Sequence, residues 1–288
     1  MKSLFTEENS AAVVLERLED CDNPRLKQVV SSLVEHLHDF VKDVEPSMDE
    51  WMQGIQFLTA TGQKCDDRRQ EFILLSDVLG VSMLCESLNN RKTGGATEAT
   101  VEGPFHAAGS PERALGDTIC DDGIGEPCWV EGRVVDVEGK PIAGALLDIW
   151  QTNGEGTYEV QGLDDQPEGN QRGLFHTDEA GRFYFRATLP VSYSVPTDGP
   201  VGLLLNASGR HAMRPAHMHF MVSAAGFEKV TTHLFVKGDP YLDSDAVFGV
   251  RESLVVEFTE ADPATAELRG LPADHREVAY DFVLAKAS

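Results

Sequence analysis

Residues 128–137, CWVEGRVVDV, read at a period of two, the spacing of a strand that turns one face to a core. The same period returns in ALLDIWQT (145–152), GRFYFRATL (181–189), AHMHFMV (216–222), TTHLFVK (231–237) and REVAYDFVLA (276–285), with Gly, Pro and Asp clusters between the runs. No helical pattern stands between consecutive strands, which argues against a parallel βαβ architecture and for an antiparallel β-sandwich. The sequence has no GxGxxG or Walker motif to cradle nucleotide phosphates.

Toward the N-terminus the period lengthens. Val29, Val30, Leu33, Val34, Leu37, Phe40 and Val41 recur at three and four, the stripe of an amphipathic helix, with Asn23 as cap and Pro24 in the first turn. Ser47-Met48-Asp49-Glu50 is a capping box that opens a second helix. Residues 66–90 read as one or two more, and the pattern stops near Lys92-Thr93-Gly94-Gly95. The expected fold class is mainly β with an α-helical N-terminal region: a helical domain over residues 1–105 and an antiparallel β-sandwich over 106–288.

The 288 residues are 41% hydrophobic, enough for a sizeable core. Acidic residues outnumber basic ones 48 to 24, and the net charge of -24 disfavours nucleic acid or an anionic membrane as partner. The start, MKSLFTEENSAAVVLERLED, has acidic residues where a secretory signal has an apolar run, and no later stretch approaches the roughly 18 apolar residues of a membrane span. A cytoplasmic protein is expected. Cys21, Cys65, Cys85, Cys120 and Cys128 are dispersed, without CxxC, so neither a disulfide framework nor a thiolate zinc site is indicated.

Pro215-Ala216-His217-Met218-His219-Phe220 carries the strongest chemical signal. Side chains at i and i+2 share a strand face, so His217 and His219 present two imidazoles side by side, as a metal pair requires or as a solvated face tolerates. Tyr158, in the long connection from Asn153 to Gly181, and Tyr193, in LPVSYSVP, are either packing residues or hard oxygen donors suited to iron(III). Long structured loops in compact domains usually have a function.

TNGEGTYE, LPVSYSVP and RPAHMHF, in this order, preceded by VEGPF and with the VEGRVVDVEGKPIAGALLDIWQ stretch, resemble the intradiol ring-cleavage dioxygenase family over nearly the whole chain. The resemblance implies Fe(3+) held by Tyr158, Tyr193, His217 and His219, with Tyr193 the ligand that leaves when substrate binds. It makes Arg214 the arginine that stabilises negative charge near the ring. Leu74, Asp77, Val101, Glu102, Gly103, Pro104, Phe105, Val195, Pro196 and Val247 match positions that line the substrate entrance. Asp77 and Glu102 are carboxylates able to accept a hydrogen bond from an additional ring hydroxyl. Where catechol-cleaving members resemble TTQ, this chain has Thr231-Thr232-His233, and HLFVKGDPYLDSDAVFGV is similar to the hydroxyquinol-cleaving branch. His233 is grouped with the substrate-binding residues; it could also hold another group or simply pack.

The implied reaction joins an aromatic diol or triol to dioxygen and yields a muconate-type diacid. For 1,2,4-trihydroxybenzene that product tautomerises to maleylacetate. Cleavage of catechol or chlorocatechol is the nearest rival. A non-catalytic β-sandwich binding module is the rival of another class, and a zinc hydrolase a third, lacking a carboxylate ligand at recognisable spacing. The apolar stripe of the N-terminal helices implies a homodimer, and family members of this shape also hold a phospholipid-like molecule between those helices.

Overall fold

The computed structural model describes residues 4–66, 69–91, 94–162 and 165–287. They form two compact units, residues 1–60 and 61–288. In the first, α1 (Ser10–Glu16) and α2 (Pro24–Val44) are followed by α3 (Met48–Gln63), which runs on into the second. Asn23 Oδ1 accepts from Leu26 N at 3.0 Å, which satisfies an amide that the first turn leaves free. At α3 the capping box closes both ways: Ser47 N donates to Glu50 Oε2 (2.8 Å) and Glu50 N to Ser47 Oγ (3.3 Å). No residue of α2 is buried, and Val29, Leu33, Leu37, Phe40 and Val41 are exposed along it.

The second unit opens with α4 (Glu71–Val78) and α5 (Val81–Asn89). Lys92 and Thr93, part of the stop read from the sequence, lie outside the described residues; Gly94 and Gly95 have φ of 73° and 78°. Next come β1 (Pro127–Asp136), β2 (Leu146–Trp150), β3 (Arg172–His176), β4 (Arg182–Thr188) and β5 (Tyr193–Ser194). Helix α6 (Pro200–Ala207) leads to β6 (Met213–Arg214), β7 (His217–Ser223), β8 (Val230–Val236), β9 (Val255–Val256) and β10 (Thr259–Glu260). The chain closes with α7 (Pro263–Arg269), β11 (Arg276–Ala279) and β12 (Phe282–Leu284). Helices α6 and α7 were not foreseen.

One sheet has β1 between β4 and the C-terminal strands β11 and β12; the other runs β3-β2-β7-β8-β9. Their inner faces share one core. Cys128, Val130 and Val134 of β1, Phe183 and Phe185 of β4 and Phe282 of β12 meet Leu147, Ile149, Met218 and Phe220 from the other sheet. Phe220 lies 4.8 Å from Phe282 and 6.4 Å from Phe183, ring to ring, across the interface. Burying each such ring contributes roughly 1.5–3 kcal/mol.

The sandwich departs from pure antiparallel pairing. β1 runs parallel to both β11 and β12, and β8 parallel to β9. Hairpin geometry imposes antiparallel pairing only on strands joined by a short turn, and β11 and β12 return to β1 after well over a hundred intervening residues. The run REVAYDFVLA, read as one strand, breaks at Tyr280-Asp281, where Tyr280 N donates to Glu131 O (3.0 Å) and Asp281 Oδ1 accepts from Arg133 N (2.9 Å). Gly132 permits the break, since a Cβ there would lie 1.8 Å from the Tyr280 carbonyl oxygen. Gly132→Ala is therefore expected to lower stability by roughly 1–3 kcal/mol, the usual range for overpacking; urea denaturation yielding a wild-type midpoint would refute this account of the break.

Candidate metal centre

Strand β7 determines the site. His217 and His219 face one way, while Met218 and Phe220, on the opposite face, enter the core. Antiparallel pairing sets Trp150 of β2 on one flank of His219 and His233 of β8 on the other. Trp150 stacks on the His219 ring (4.6 Å, 17°), and His233 meets it edge-on (4.1 Å, 86°). His219 thus has little freedom to turn.

Two tyrosines complete the cluster. Asn153 Oδ1 accepts from Glu155 N (3.0 Å) and Thr157 N (3.2 Å) and tightens the turn before Tyr158, whose ring stacks on Phe105 (4.6 Å, 24°). Tyr193 is brought in by the short β5–β6 pair, which sets it opposite Arg214. Tyr158 Oη stands 2.8 Å from His219 Nε2 and 3.3 Å from Tyr193 Oη, and His217 Nε2 is 3.2 Å from His219 Nε2. All four side chains are buried. Donors bonded to one ion at roughly 2.0–2.1 Å stand about 3 Å apart at bond angles near 90–110°, so these spacings suit a shared cation.

The protonation pattern suits one as well. His217 Nδ1 lies 2.6 Å from Pro215 O, which can only accept, so Nδ1 carries the hydrogen and Nε2 turns a lone pair to the centre. Burial first, and then the charge of Arg214, push the His217 imidazole down to about 3. His219 is likewise held well below the ordinary range by burial and by its neighbours His217 and Arg214. Both rings therefore stay neutral and available as donors near neutral pH. Burial, with Tyr193 alongside, holds the Tyr158 phenol well above its usual value, so its phenolate requires a nearby cation.

Arg214, itself buried, has Nη1 at 3.2 Å from His217 Nε2 and 3.4 Å from Tyr193 Oη. Asp245 holds its other edge, Nε to Oδ1 at 3.1 Å and Nη2 to Oδ2 at 3.3 Å, and also accepts from Gly249 N at 2.9 Å. Burial opposes the guanidinium charge, but Asp245 and the two phenols outweigh it. Burial raises the Asp245 carboxyl too, and Arg214 more than offsets it. Asp245 was missed from the sequence, where nothing distinguishes it from the other acids.

Leu74, Val101, Val195 and Val247 fall into one apolar cluster. Asp77 is buried, and its carboxyl is raised by burial, with Ser82 and Arg214 opposing. Glu102 takes a different course: half-exposed, its Oε1 lies 3.5 Å from His106 Nδ1. Pro104 is exposed and Pro196 half-buried. Gly103, at φ 77°, brings the chain so close that a Cβ would lie 3.5 Å from His219 Cε1. His233 is fully buried, with Nε2 at 2.7 Å from His219 Nδ1 and Nδ1 at 3.0 Å from Thr100 Oγ1. Among the described residues, His217, His219 and His233 form the one His/Cys/Asp/Glu group spaced to hold a metal, but His233 already has both ring nitrogens engaged.

A clasp unread in the sequence holds residues 101–106 in place. His106 Nε2 is 2.9 Å from Asp148 Oδ2, Ser110 Oγ donates to Asp148 Oδ1 at 2.9 Å, and the His106 ring meets Trp150 edge-on at 4.7 Å. Asp148 raises the His106 imidazole above its ordinary 6.5, Glu102 adds to it, and burial and Lys229 oppose. A raised folded-state value means that this contribution to stability is full below about 6.5 and is lost as pH rises through the folded-state value. His106→Gln is expected to lose more stability at pH 6 than at pH 9 by urea denaturation; equal losses would show that the imidazolium charge contributes nothing.

Comparison with known proteins agrees with this geometry. The family described as "Dioxygenase" matches residues 101–286, and "Catechol dioxygenase N terminus" matches residues 23–97. The chain is 51% identical over 284 residues to hydroxyquinol 1,2-dioxygenase of Rhizobium sp. (strain MTP-10005), covering 98% of this chain and 96% of that protein. It is 51% identical over 280 residues to 6-chlorohydroxyquinol 1,2-dioxygenase of Cupriavidus pinatubonensis, covering 97% and 98%. Among solved structures, hydroxyquinol 1,2-dioxygenase from Pseudomonas putida DLL-E4 superposes with a TM-score of 0.93 at 50% identity, over 98% of this chain and 99% of that one. Catechol 1,2-dioxygenase of Acinetobacter radioresistens follows at 0.84 and 31%, over 99% and 94%. With its helical start, its two-sheet body and a centre of two phenols and two imidazoles, the chain belongs to the intradiol ring-cleavage dioxygenase family.

Proposed function

We propose that the protein is an iron(III)-dependent dioxygenase that cleaves hydroxyquinol, 1,2,4-trihydroxybenzene, with dioxygen to 3-hydroxy-cis,cis-muconate, the tautomer of maleylacetate. The observation that carries this reading is the buried convergence of Tyr158, Tyr193, His217 and His219 at 2.8–3.3 Å, in a chain 51% identical to enzymes named for hydroxyquinol and 6-chlorohydroxyquinol. These residues would hold the iron, the histidines through Nε2. Two phenolates suit a hard trivalent ion and offset most of its charge, which zinc would not require. When bound, ferric iron supplies the electron acceptor that draws charge from the chelated diol and opens the ring to dioxygen.

The chain's own groups do the rest. With iron bound, Tyr193 would be the ligand that gives way to the diol, its Oη taking up one of the two protons the diol gives up, and Arg214 Nη1, 3.4 Å away, would steady that oxygen while the proton moves. Held by Asp245, the guanidinium is already oriented toward the negative charge that develops on the ring oxygens, so no reorganisation is needed at that moment. Leu74, Val101, Val195 and Val247 clasp the ring faces and exclude water, with Gly103, Pro104, Phe105 and Pro196 closing the wall. Asp77, buried, takes the third ring hydroxyl as hydrogen-bond partner, and catechol has none to offer. Glu102, turned toward His106, serves the wall in place of that hydroxyl.

In this reading residues 1–105 provide dimerisation and pocket wall and residues 106–288 the catalytic body. The free cysteines fit a cytoplasmic setting, and no helix among the described residues is long and apolar enough to cross a membrane. The exposed face of α2 is the homodimer contact, and acyl chains of a phospholipid would fit the same stripe.

The test is an anaerobic titration of iron-loaded protein with hydroxyquinol and with catechol, followed by oxygen and product identification. Hydroxyquinol is expected to turn over faster by at least tenfold, with the margin narrowed in Asp77→Asn; equal turnover in the wild type would favour a catechol enzyme. Tyr193→Phe is expected to change the visible tyrosinate band and depress turnover, and an unchanged colour and rate would remove Tyr193 from the centre. Light scattering is expected to give twice the 31.5 kDa chain mass, and Leu33→Asp with Phe40→Asp to halve it. A monomeric wild type at micromolar concentration would overturn the dimer.

A further inference from the structure

We infer that His233 and Thr100 are a positioning pair that holds His219 with its Nε2 toward the centre, accepts the hydrogen on its Nδ1 and sets how strongly Nε2 donates. The inference rests on the iron reading above and assigns His233 a role distinct from substrate contact. It starts from an ambiguity. His217 has its tautomer fixed by a backbone carbonyl, which can only accept. His219 has no such partner; its Nδ1 faces another imidazole, His233 Nε2, at 2.7 Å, and either ring can donate in that bond. Unless something decides the direction, the ring is as well satisfied with the hydrogen on Nε2, where it would block the lone pair.

An ion at Nε2 would decide it by placing the hydrogen on Nδ1, and three groups in line are placed to take that hydrogen's bond. With His219 Nε2 bare, Nδ1 carries the hydrogen and donates to His233 Nε2; His233 then carries its own hydrogen on Nδ1 and donates to Thr100 Oγ1 at 3.0 Å. Every ring nitrogen in the row is then satisfied, and the row ends on a hydroxyl able to accept from His233 Nδ1. All three residues are buried, Thr100 and His233 at 0% exposure and His219 at 1%, so water does not compete for these bonds. Thr100 is itself immobile: its N donates to Thr231 O at 2.9 Å, and Thr232 Oγ1 donates to Glu98 O at 2.8 Å, stitching the segment to β8 beside His233. Thr100 directly precedes Val101 of the pocket wall, so wall and donor share one anchor. A hydrogen bond from Nδ1–H pushes electron density onto the ring and strengthens Nε2 as a donor, and losing such a partner typically weakens metal affinity about 10–100-fold.

His233→Leu, His233→Gln and Thr100→Val separate these contributions, read by iron retention against a chelator and by the tyrosinate band of the ferric protein without substrate. His233→Leu is expected to weaken iron retention about 10–100-fold and to move the band to longer wavelength, because a weaker imidazole leaves the ion more electron-poor. His233→Gln, whose amide oxygen still accepts from Nδ1, is expected to recover most of both. Thr100→Val preserves shape and removes only the terminal acceptor, so it is expected to weaken retention several-fold with a smaller shift in the same direction. Wild-type retention and an unmoved band in His233→Leu overturn the inference, as does a glutamine variant no better than leucine. Should the leucine variant fail to fold, an unaltered Thr100→Val decides against it. A wild-type protein that takes up no iron and has no band defeats the iron reading itself, a result distinct from any of these.

Discussion

Two neutral imidazoles bring their Nε2 atoms within 3.2 Å of each other in a buried chamber, with a phenol oxygen 2.8 Å from one of them. The Tyr158 hydroxyl and Arg214 Nη1 can donate to these nitrogens, but a buried polar cluster is stable only while such bonds are made, so the surrounding structure has to hold it together. Much of the fold can be read as that restraint. Strand β7 sets the two rings on one face, β2 and β8 flank them with Trp150 and His233, and the β5–β6 pair and a tight turn bring up the tyrosines. The core beneath, where Phe220 meets Phe183 and Phe282, makes β7 rigid enough to serve.

The charge beside the cluster is handled with equal care. A guanidinium as buried as Arg214 is costly unless paired and hydrogen-bonded, and Asp245 does both while backbone amides of the 245–249 turn satisfy the carboxylate. Gly249 belongs to this arrangement, since a Cβ there would lie 2.9 Å from Arg214 Nη2 and 3.2 Å from Asp245 Oδ2. The cation is thus positioned before any substrate arrives, and catalysis benefits most from charges that need not reorganise. Burial first, with the cation's nearness added, keeps both histidines neutral.

The segment proposed as pocket wall depends on the centre and supports it in return. Residues 101–106 lie on His219 through Gly103, on Tyr158 through Phe105 and on Trp150 through His106, and the His106–Asp148 clasp ties them to β2. Under the proposed function, substrate recognition and metal chemistry would be built on the same few contacts. Family membership sets aside the non-catalytic module, and two phenol oxygens among the donors argue against the zinc hydrolase.

The sequence alone determined the strand runs, the caps at Asn23 and Ser47, and the placement of His217 and His219 on one face, because periods of two and 3.6 and local capping are properties of a few neighbouring residues. Tyr158 and Tyr193 were legible only as packing residues or oxygen donors, and resemblance chose the second reading and added Arg214. Tertiary structure decided what lies far apart along the chain. It chose Asp245 for Arg214 and Asp148 for His106, set β11 and β12 parallel to β1, and split their run at Gly132. Helix α6 was illegible for the same reason: its first turn is capped by Glu71, whose Oε1 accepts from Val201 N at 3.1 Å across 130 residues. Partners at such separations leave no periodic trace, since only the packing of the sheets selects which carboxylate, carbonyl or ring comes within hydrogen-bond reach.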